Sequence, residues 1–251
     1  MFLPIGDLPN PRTTPWLTYA LMAGNIAVFA LVTVPLSLAR PDLNDPLLLD
    51  YLNAMSRQGS LPVATLLEQV SAYDLAVFRY GYRPGTPSLL ALFTTMFLHG
   101  GWLHLAGNML FLYIFGDNVE YRLGPLRYLL AYLGTGIAAT LFFALFVAGS
   151  QVPLIGASGA ISGVLGCYFI WFPRNQVKVF VFLFPLLMTQ VLVPARLVLG
   201  FYLLVDNLLP FLITGSGGAG VAHGAHIGGF LAGMGVAAVS DRQGRRRSAP
   251  S

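Results

Sequence analysis

The sequence predicts an all-α membrane protein, a polytopic bundle of six transmembrane helices. Three observations support this fold class. First, 56% of the 251 residues are hydrophobic and only 10% are charged, whereas about 25% of the residues in a soluble domain are charged. Second, the apolar residues form several runs long enough to cross a bilayer, where the backbone must be helical to satisfy its own polar groups. Third, most basic residues lie near the ends of these runs.

The first part of the chain combines one apolar run with a long polar loop. Residues 1–15 are polar and lack the basic-then-apolar order of a cleaved signal peptide, so we expect 16–38 to be retained as the first span. In the first loop, 39–98, charged residues alternate with short apolar clusters as far as residue 88. We expect this loop to lie on the membrane or fold over the bundle; a plain extracytoplasmic loop is an equal alternative. Residues 89–98 are apolar but short, and we assign them to its membrane-embedded end.

Five further runs complete the predicted membrane domain, 16–240. They cover residues 102–119, 126–148, 155–172, 196–213 and 221–239. The segment 179–193 is also apolar but is broken by Pro185. We expect it to lie at the interface or to extend the fifth helix. A seventh span would place His226 at the opposite membrane face from Ser158.

The distribution of basic residues predicts the orientation. With six spans, both termini lie on one side of the membrane. That side carries Arg12, Arg122, Arg127, Arg174, Lys178 and the arginines of the basic tail, 241–251. The positive-inside rule places it in the cytoplasm, consistent with the inner membrane of a bacterium. We attribute the net charge of +4 to topology, and we expect the lipid bilayer and no nucleic acid as a partner. The tail arginines suggest contact with anionic lipid, but a solvated tail that sets the topology is favoured.

Ser158 is the first candidate catalytic residue. It lies in the stretch 156–163, where glycine and alanine flank its hydroxyl and would let another helix or a substrate backbone come close. A serine hydroxyl becomes a good nucleophile only when a neighbouring base takes its proton. The alternative is a serine that packs helices together, a role that Ser162 would share.

His226 is the candidate base. An imidazole within the hydrocarbon region is costly and usually functional. Glycines surround it at 224, 228, 229 and 233, so this helix and the helix of Ser158 both offer glycine faces at one predicted depth. Such faces can approach until a serine oxygen reaches a histidine nitrogen at about 2.6–3.2 Å. His223, one turn earlier, is expected at the surface.

His104 and Asn108 are candidate hydrogen-bond donors. They are four residues apart and therefore share one face of the second helix. Donors of this kind can stabilise the oxyanion of an acyl-transfer intermediate; the alternative is a polar pair that holds two helices together. His99 lies at the loop boundary and is expected at the surface.

The positions of the acidic residues suggest that the site is a Ser–His dyad with no carboxylate partner for the histidine. None is placed to orient His226, and Asp206, about midway along the fifth span, is expected to be a protonated or hydrogen-bonded packing residue. No pair of ligands at metal-site spacing lies on one helix, so we expect no metal ion. The single cysteine, Cys167, excludes an intrachain disulfide and a cysteine metal cluster.

Four stretches, in this order and spacing, resemble the rhomboid family of intramembrane serine proteases. They are His99-Gly-Gly-Trp-Leu-His104-Leu-Ala-Gly-Asn108, Gly116-Asp-Asn-Val-Glu120-Tyr-Arg-Leu-Gly124, Gly156-Ala-Ser158-Gly159 and Ala225-His226-Ile-Gly-Gly229. The resemblance implies that Ser158 is the nucleophile and His226 the general base. It implies that His104, Asn108 and the backbone N–H of Ser158 form the oxyanion hole. It also implies that the substrates are transmembrane or juxtamembrane segments of other membrane proteins and that they are cleaved without a cofactor.

The sequence departs from the family pattern at two places. Some members carry an aromatic residue one turn after the nucleophile, packed against the catalytic histidine, where this chain has Ser162. Some have a Trp-Arg pair in the first loop, which is absent here. Two rival functions stay open: a proteolytically inactive relative that binds membrane-protein clients in the same groove, and a small transporter, for which no internal repeat is found.

Overall fold

The computed structural model describes residues 2–58, 62–183, 187–214 and 222–247 as a helical bundle with a small β-sheet at one end. In chain order, the strands and helices are β1 Phe2–Leu8, α1 Trp16–Leu38, α2 Pro46–Gln58, α3 Val63–Gln69, α4 Ala72–Tyr80, α5 Leu89–Phe97, α6 Trp102–Leu123, α7 Pro125–Ala144, α8 Ser158–Trp171, β2 Gln176–Leu183, β3 Leu187–Pro194, α9 Ala195–Thr214 and α10 His223–Arg247. Helix α5 ends in a 3₁₀ turn, and α1 and α9 each contain a π-helical turn.

The predicted helical membrane bundle is confirmed, while the count of six spans stays a prediction. Among the described residues, three helices are long and apolar enough to cross a bilayer: α1, α7 and α9. A fourth is obtained if α5 and α6, which meet at an angle of 90°, are counted as one bent span. Helix α8 is apolar but has only 14 residues. Its shortness suits a helix surrounded by others, because every residue from Gly159 to Tyr168 is buried.

Helix α1 is fixed to α6 by a buried carboxylate. Glu120 accepts hydrogen bonds from the backbone N–H groups of Leu17 and Thr18, at 3.0 and 2.7 Å, and from the Thr18 hydroxyl at 2.7 Å. The first N–H groups of a helix have no partners within the helix, and the helix dipole favours a negative charge at that end. Glu120 therefore caps the first span and sets where it begins.

The small sheet was not predicted from the sequence. Strands β2 and β3 form an antiparallel hairpin, and β1 pairs with β2. The described parts of the segment, 179–183 and 187–193, are therefore strands and do not extend the fifth helix, and their location at the membrane interface stays a prediction. Part of the N-terminal segment 1–15 is also a strand. The alternating residues Val177, Val179 and Val181 are buried, which is the two-residue period of a half-buried strand. Pro185 lies outside the described residues.

The first loop is folded into helices. Helices α2, α3 and α4 pack around an apolar cluster of their own, formed by Leu48, Leu52, Val70 and Leu75. Helix α4 begins with a capping box, in which Ser71 and Asp74 satisfy each other's backbone N–H groups. This small helical layer leads into α5 and covers the approach to the start of α6.

Helices α8 and α10 are in backbone contact through glycine. A Cβ atom placed on Gly233 would lie 1.9 Å from the carbonyl oxygen of Gly163, and one on Gly166 would lie 2.0 Å from that of Phe230. Only residues without side chains allow helices to approach this closely. At the other end of the pair, the Asp241 carboxylate accepts hydrogen bonds from Arg122 of α6 at 2.8 Å and from Trp171 of α8 at 3.0 Å.

Helix α10 continues beyond the predicted sixth span. It runs through Arg247, so most of the predicted tail, 241–251, is helical. Because Asp241 is held by α6 and α8, the start of this tail belongs to the bundle.

Candidate active site

Ser158 is the first residue of α8, and the turn before it depends on glycine. Gly156 has a φ of +119° and donates its N–H to the carbonyl of Thr95 at 2.8 Å. A Cβ atom at this position would lie 2.7 Å from Nε2 of His104. Glycine is therefore required twice, for a backbone conformation that other residues rarely adopt and for the close approach of His104.

Ser158 and His226 are within hydrogen-bond distance. Oγ of Ser158 lies 2.8 Å from Nε2 of His226, although 68 residues separate them in the sequence. The glycine contact between α8 and α10 makes this possible, because Gly229, one turn after His226, lies against the carbonyl of Gly159. The structure thus brings together the nucleophile and base that the sequence predicts.

Asn207 is a polar residue of the site that the sequence analysis did not select. Its Oδ1 atom lies 2.7 Å from Nδ1 of His226, and its Nδ2 atom donates to the carbonyl of Tyr202 at 2.8 Å. Asn207 lies in the π-helical turn of α9 and is only 2% exposed. The sequence signal for Asn207 is an amide inside an apolar run, next to Asp206.

Tyr202 supplies the aromatic ring that is missing at position 162. Its ring stacks against that of His226, with centroids 6.3 Å apart and planes at 28°. Its hydroxyl lies 2.7 Å from Oγ of Ser162. The departure from the family pattern at Ser162 is therefore matched by a tyrosine on α9, which occupies the space beside the imidazole and bonds the serine.

His104 and Asn108 line the same cavity as Ser158. The N–H of Gly100 donates to Nδ1 of His104 at 3.4 Å, which leaves Nε2 to carry the ring hydrogen on the side of Gly156. Asn108 is buried, and its Nδ2 has no hydrogen-bond partner among the described residues. Two side-chain donors are thus available next to the serine. The first N–H groups of a helix are also free of helical partners, and these include that of Ser158.

The expectation that His99 lies at the surface is wrong. Its side chain is 0% exposed, and its ring packs edge-on against His104 with centroids 5.0 Å apart. The hydroxyl of Tyr73 donates to the His99 carbonyl at 2.9 Å and accepts from the His99 N–H at 3.1 Å. Tyr73 belongs to α4, so the helical layer of the first loop buries this histidine.

The expectations for His223 and Asp206 are also corrected. His223 is half-buried rather than on the surface, and its Nδ1 lies 3.4 Å from Oδ1 of Asn207. Asp206 is exposed rather than packed, and it makes no hydrogen bond or ion pair within the described part of the chain. The two neighbours on α9 differ because consecutive residues of a helix point in directions about 100° apart.

All four predicted site residues, Ser158, His226, His104 and Asn108, line one cavity of about 1250 Å³. Most of its other lining residues are apolar, among them Trp102, Leu103, Phe111, Val147, Leu154 and Ile161. The cavity is therefore an apolar cleft with a few convergent polar groups at one place, as in many ligand sites. In the described ranges, no cluster of three histidine, cysteine or acidic side chains could hold a metal ion.

Comparisons with known proteins point to one family. The family model described as Rhomboid domain matches residues 86–242. RHOMBOID-like protein 6, mitochondrial, of Arabidopsis thaliana is 28% identical over 233 residues, which cover 90% of this chain and 68% of the relative. Rhomboid protein 1, mitochondrial, of Saccharomyces cerevisiae is 34% identical over 102 residues, 39% of this chain and 30% of the relative.

A relative named as a protease is also matched. Rhomboid protease GluP of Bacillus subtilis is 36% identical over 147 residues, which are 59% of this chain and 25% of the relative. The aligned part of the chain thus spans between about a quarter and two thirds of the length of these three relatives.

Proposed function

The chain belongs to the Rhomboid family, and on that premise we propose that this integral membrane protein is a serine endopeptidase that cleaves transmembrane or juxtamembrane segments of other membrane proteins. The observation that carries the proposal is the 2.8 Å distance between Oγ of Ser158 and Nε2 of His226 at the wall of an apolar cavity. A nucleophile, a base and unpaired donors around one space are the parts that acyl transfer needs.

In the proposed acylation step, His226 takes the proton of Ser158 as the serine oxygen attacks the carbonyl carbon of the scissile peptide. The negative charge that develops on the carbonyl oxygen is stabilised by His104, Asn108 and the backbone N–H of Ser158. Loss of one such donor typically costs about 3–4 kcal/mol of transition-state stabilisation. When the intermediate collapses, the C–N bond breaks and His226 gives its proton to the leaving amine.

In the second proposed step, water replaces the leaving amine. His226 takes a proton from water, the resulting hydroxide attacks the acyl carbon, and the serine oxygen leaves with the proton held by His226. The polar groups of His104, Asn108 and His226 give that water partners in a cavity that is otherwise mostly apolar.

The substrate is proposed to enter the cavity in extended form. A peptide bond inside an α-helix has its carbonyl engaged in helical hydrogen bonds, so a transmembrane substrate must unwind locally before Ser158 can attack. Glycine near the cleaved bond lowers the cost of unwinding, by about 1 kcal/mol per residue relative to alanine. We propose the inner membrane of a bacterium as the location, with both termini in the cytoplasm.

The proposal is tested by reconstituting Ser158→Ala in liposomes with a model transmembrane substrate and measuring cleavage. The matched control is Ser37→Ala, because within the described residues the Ser37 hydroxyl donates only to the carbonyl of Thr33 in its own helix, at 2.6 Å. We expect cleavage to be lost in the first variant and kept in the second. Cleavage at the parent rate by Ser158→Ala would refute the assignment. Binding of substrate without cleavage by the parent would favour the alternative, an inactive relative that binds clients.

A further inference from the structure

The second ring nitrogen of His226 has a partner that the predicted dyad lacks. We infer that Asn207 is a positioning residue that holds the imidazole of His226 in the tautomer and orientation needed to accept the proton of Ser158. The inference rests on the proposed function and extends the dyad to a triad of Ser158, His226 and Asn207. Its basis is the pair of contacts on the imidazole, 2.8 Å to the serine oxygen and 2.7 Å to the amide oxygen.

The hydrogen-bond pattern sets the orientation of the Asn207 amide. Its Nδ2 group donates to the backbone carbonyl of Tyr202 at 2.8 Å. A carbonyl can only accept, so the nitrogen of the amide must face it and Oδ1 must face His226. An amide oxygen is also only an acceptor, so Nδ1 of His226 carries the hydrogen. In the neutral ring, Nε2 then has a free lone pair, and it is this atom that lies next to Ser158.

The π-helical turn of α9 places Asn207 for this role. Leu204–Leu208 forms a single wide turn, and such turns occur frequently at functional sites because they rotate the residues that follow them. Here Asn207 points inward with 2% exposure while its neighbour Asp206 is exposed. The buried position favours an amide over a carboxylate, because a charge buried in the membrane is costly, whereas the neutral amide here donates one hydrogen bond and accepts another.

Helix α9 constrains the imidazole in two ways. Asn207 fixes the edge of the ring through Nδ1, and Tyr202 covers its face at a centroid distance of 6.3 Å. His223 competes weakly for the same amide oxygen, at 3.4 Å. The other titratable groups that face His226 are His104 on α6 and Tyr202 on α9, while Asp206 interacts with His223. His104 and Asp206 make no hydrogen bond to His226 within the described residues.

The test compares Asn207→Ala, Asn207→Asp and, as a matched control, Asp206→Ala in the neighbouring exposed position. For Asn207→Ala we expect kcat to fall about 10²-fold, at the low end of what a general base contributes, with KM changed less than about twofold, because Asn207 does not line the cavity. For Asn207→Asp we expect partial activity and an acidic limb of the pH profile shifted to higher pH, because a neighbouring carboxylate stabilises the protonated imidazole. Asp206→Ala should match the parent.

The outcomes separate this inference from the proposed function. If cleavage depends on Ser158 but Asn207→Ala keeps the parent kcat, the positioning role of Asn207 is refuted and the Ser158–His226 dyad stands. If cleavage does not depend on Ser158, the proposed function itself fails. If Asn207→Ala does not fold, Asn207→Asp decides: an acidic limb identical to that of the parent would overturn the inference, because a purely structural asparagine would not move it.

Discussion

Gly229→Ala adds one methyl group where α8 and α10 are in backbone contact. The new Cβ would lie 2.1 Å from the carbonyl oxygen of Gly159 and 3.3 Å from Cβ of Ala139. Real Cβ atoms do not come closer than 3.0 Å to another heavy atom, so the two helices must separate by about 0.9 Å at this point. Overpacking of this kind typically costs about 1–3 kcal/mol of stability.

The same displacement acts on the proposed catalytic pair. Gly159 follows Ser158 directly, and Gly229 lies one turn after His226. If the whole shift reaches them, the Oγ to Nε2 distance grows from 2.8 Å to about 3.7 Å, beyond the roughly 3.2 Å limit for proton transfer to a general base. We therefore expect kcat to fall by about 10²-fold or more, since a general base contributes about 10²–10⁴.

The assay pairs thermal unfolding in detergent with cleavage of a transmembrane substrate in liposomes. Gly235→Ala is the matched control, because it adds the same methyl group to the same helix at a position with no atom within 4 Å. It should leave kcat at the parent value and should not lower the melting temperature, because alanine favours a helix more than glycine does. A Gly229→Ala protein with the melting temperature and kcat of the parent would refute the argument that glycine contact sets the distance between Ser158 and His226.

Two further predictions concern the other end of the bundle. Glu120→Gln should lower the melting temperature in detergent, because the neutral amide has one oxygen instead of two for the three hydrogen bonds donated by Leu17 and Thr18. Loss of a buried hydrogen bond to a charged group costs about 1–3 kcal/mol of stability. An unchanged melting temperature would contradict this prediction. Burial in the sheet raises the pKa of Asp7 from 3.8 to about 7. The folded state thus keeps a proton that the unfolded chain releases, so stability should fall as the pH rises from about 4 to 7. Asp7→Asn should reduce the difference in melting temperature between pH 5 and pH 8, and an undiminished difference would assign the effect to another group.

Much of the bundle and the site could be predicted from local sequence signals. Apolar runs locate the helices because a bilayer imposes one length and one backbone conformation on any segment that crosses it. Ser158 and His226 could be paired because the glycines that flank each of them predict a close approach of their two helices. The four-residue spacing of His104 and Asn108 predicts that they share one face of a helix. Each of these signals depends only on residues within one helix.

The features that were missed depend on partners far away in the sequence. The valines of β2 form an apolar run that could be helix or strand when the sequence is taken alone. In the structure, β2 pairs with β1, which lies about 170 residues earlier in the chain. His99 is buried by Tyr73 of the first loop. Asn207 lies in a π-helical turn, which the sequence does not reveal. The partner of a catalytic histidine is commonly a carboxylate, whereas the partner of His226 is a neutral amide.

The proposed mechanism depends on the activation of Ser158 by His226. The most direct measurement is labelling of the purified protein with a fluorophosphonate, which reacts covalently with an activated serine, followed by mass spectrometry of the modified peptide. We predict one modified residue, Ser158, and loss of the label in a folded His226→Ala variant. Labelling that persists in His226→Ala at the parent rate, or that falls on another serine, would contradict the claim.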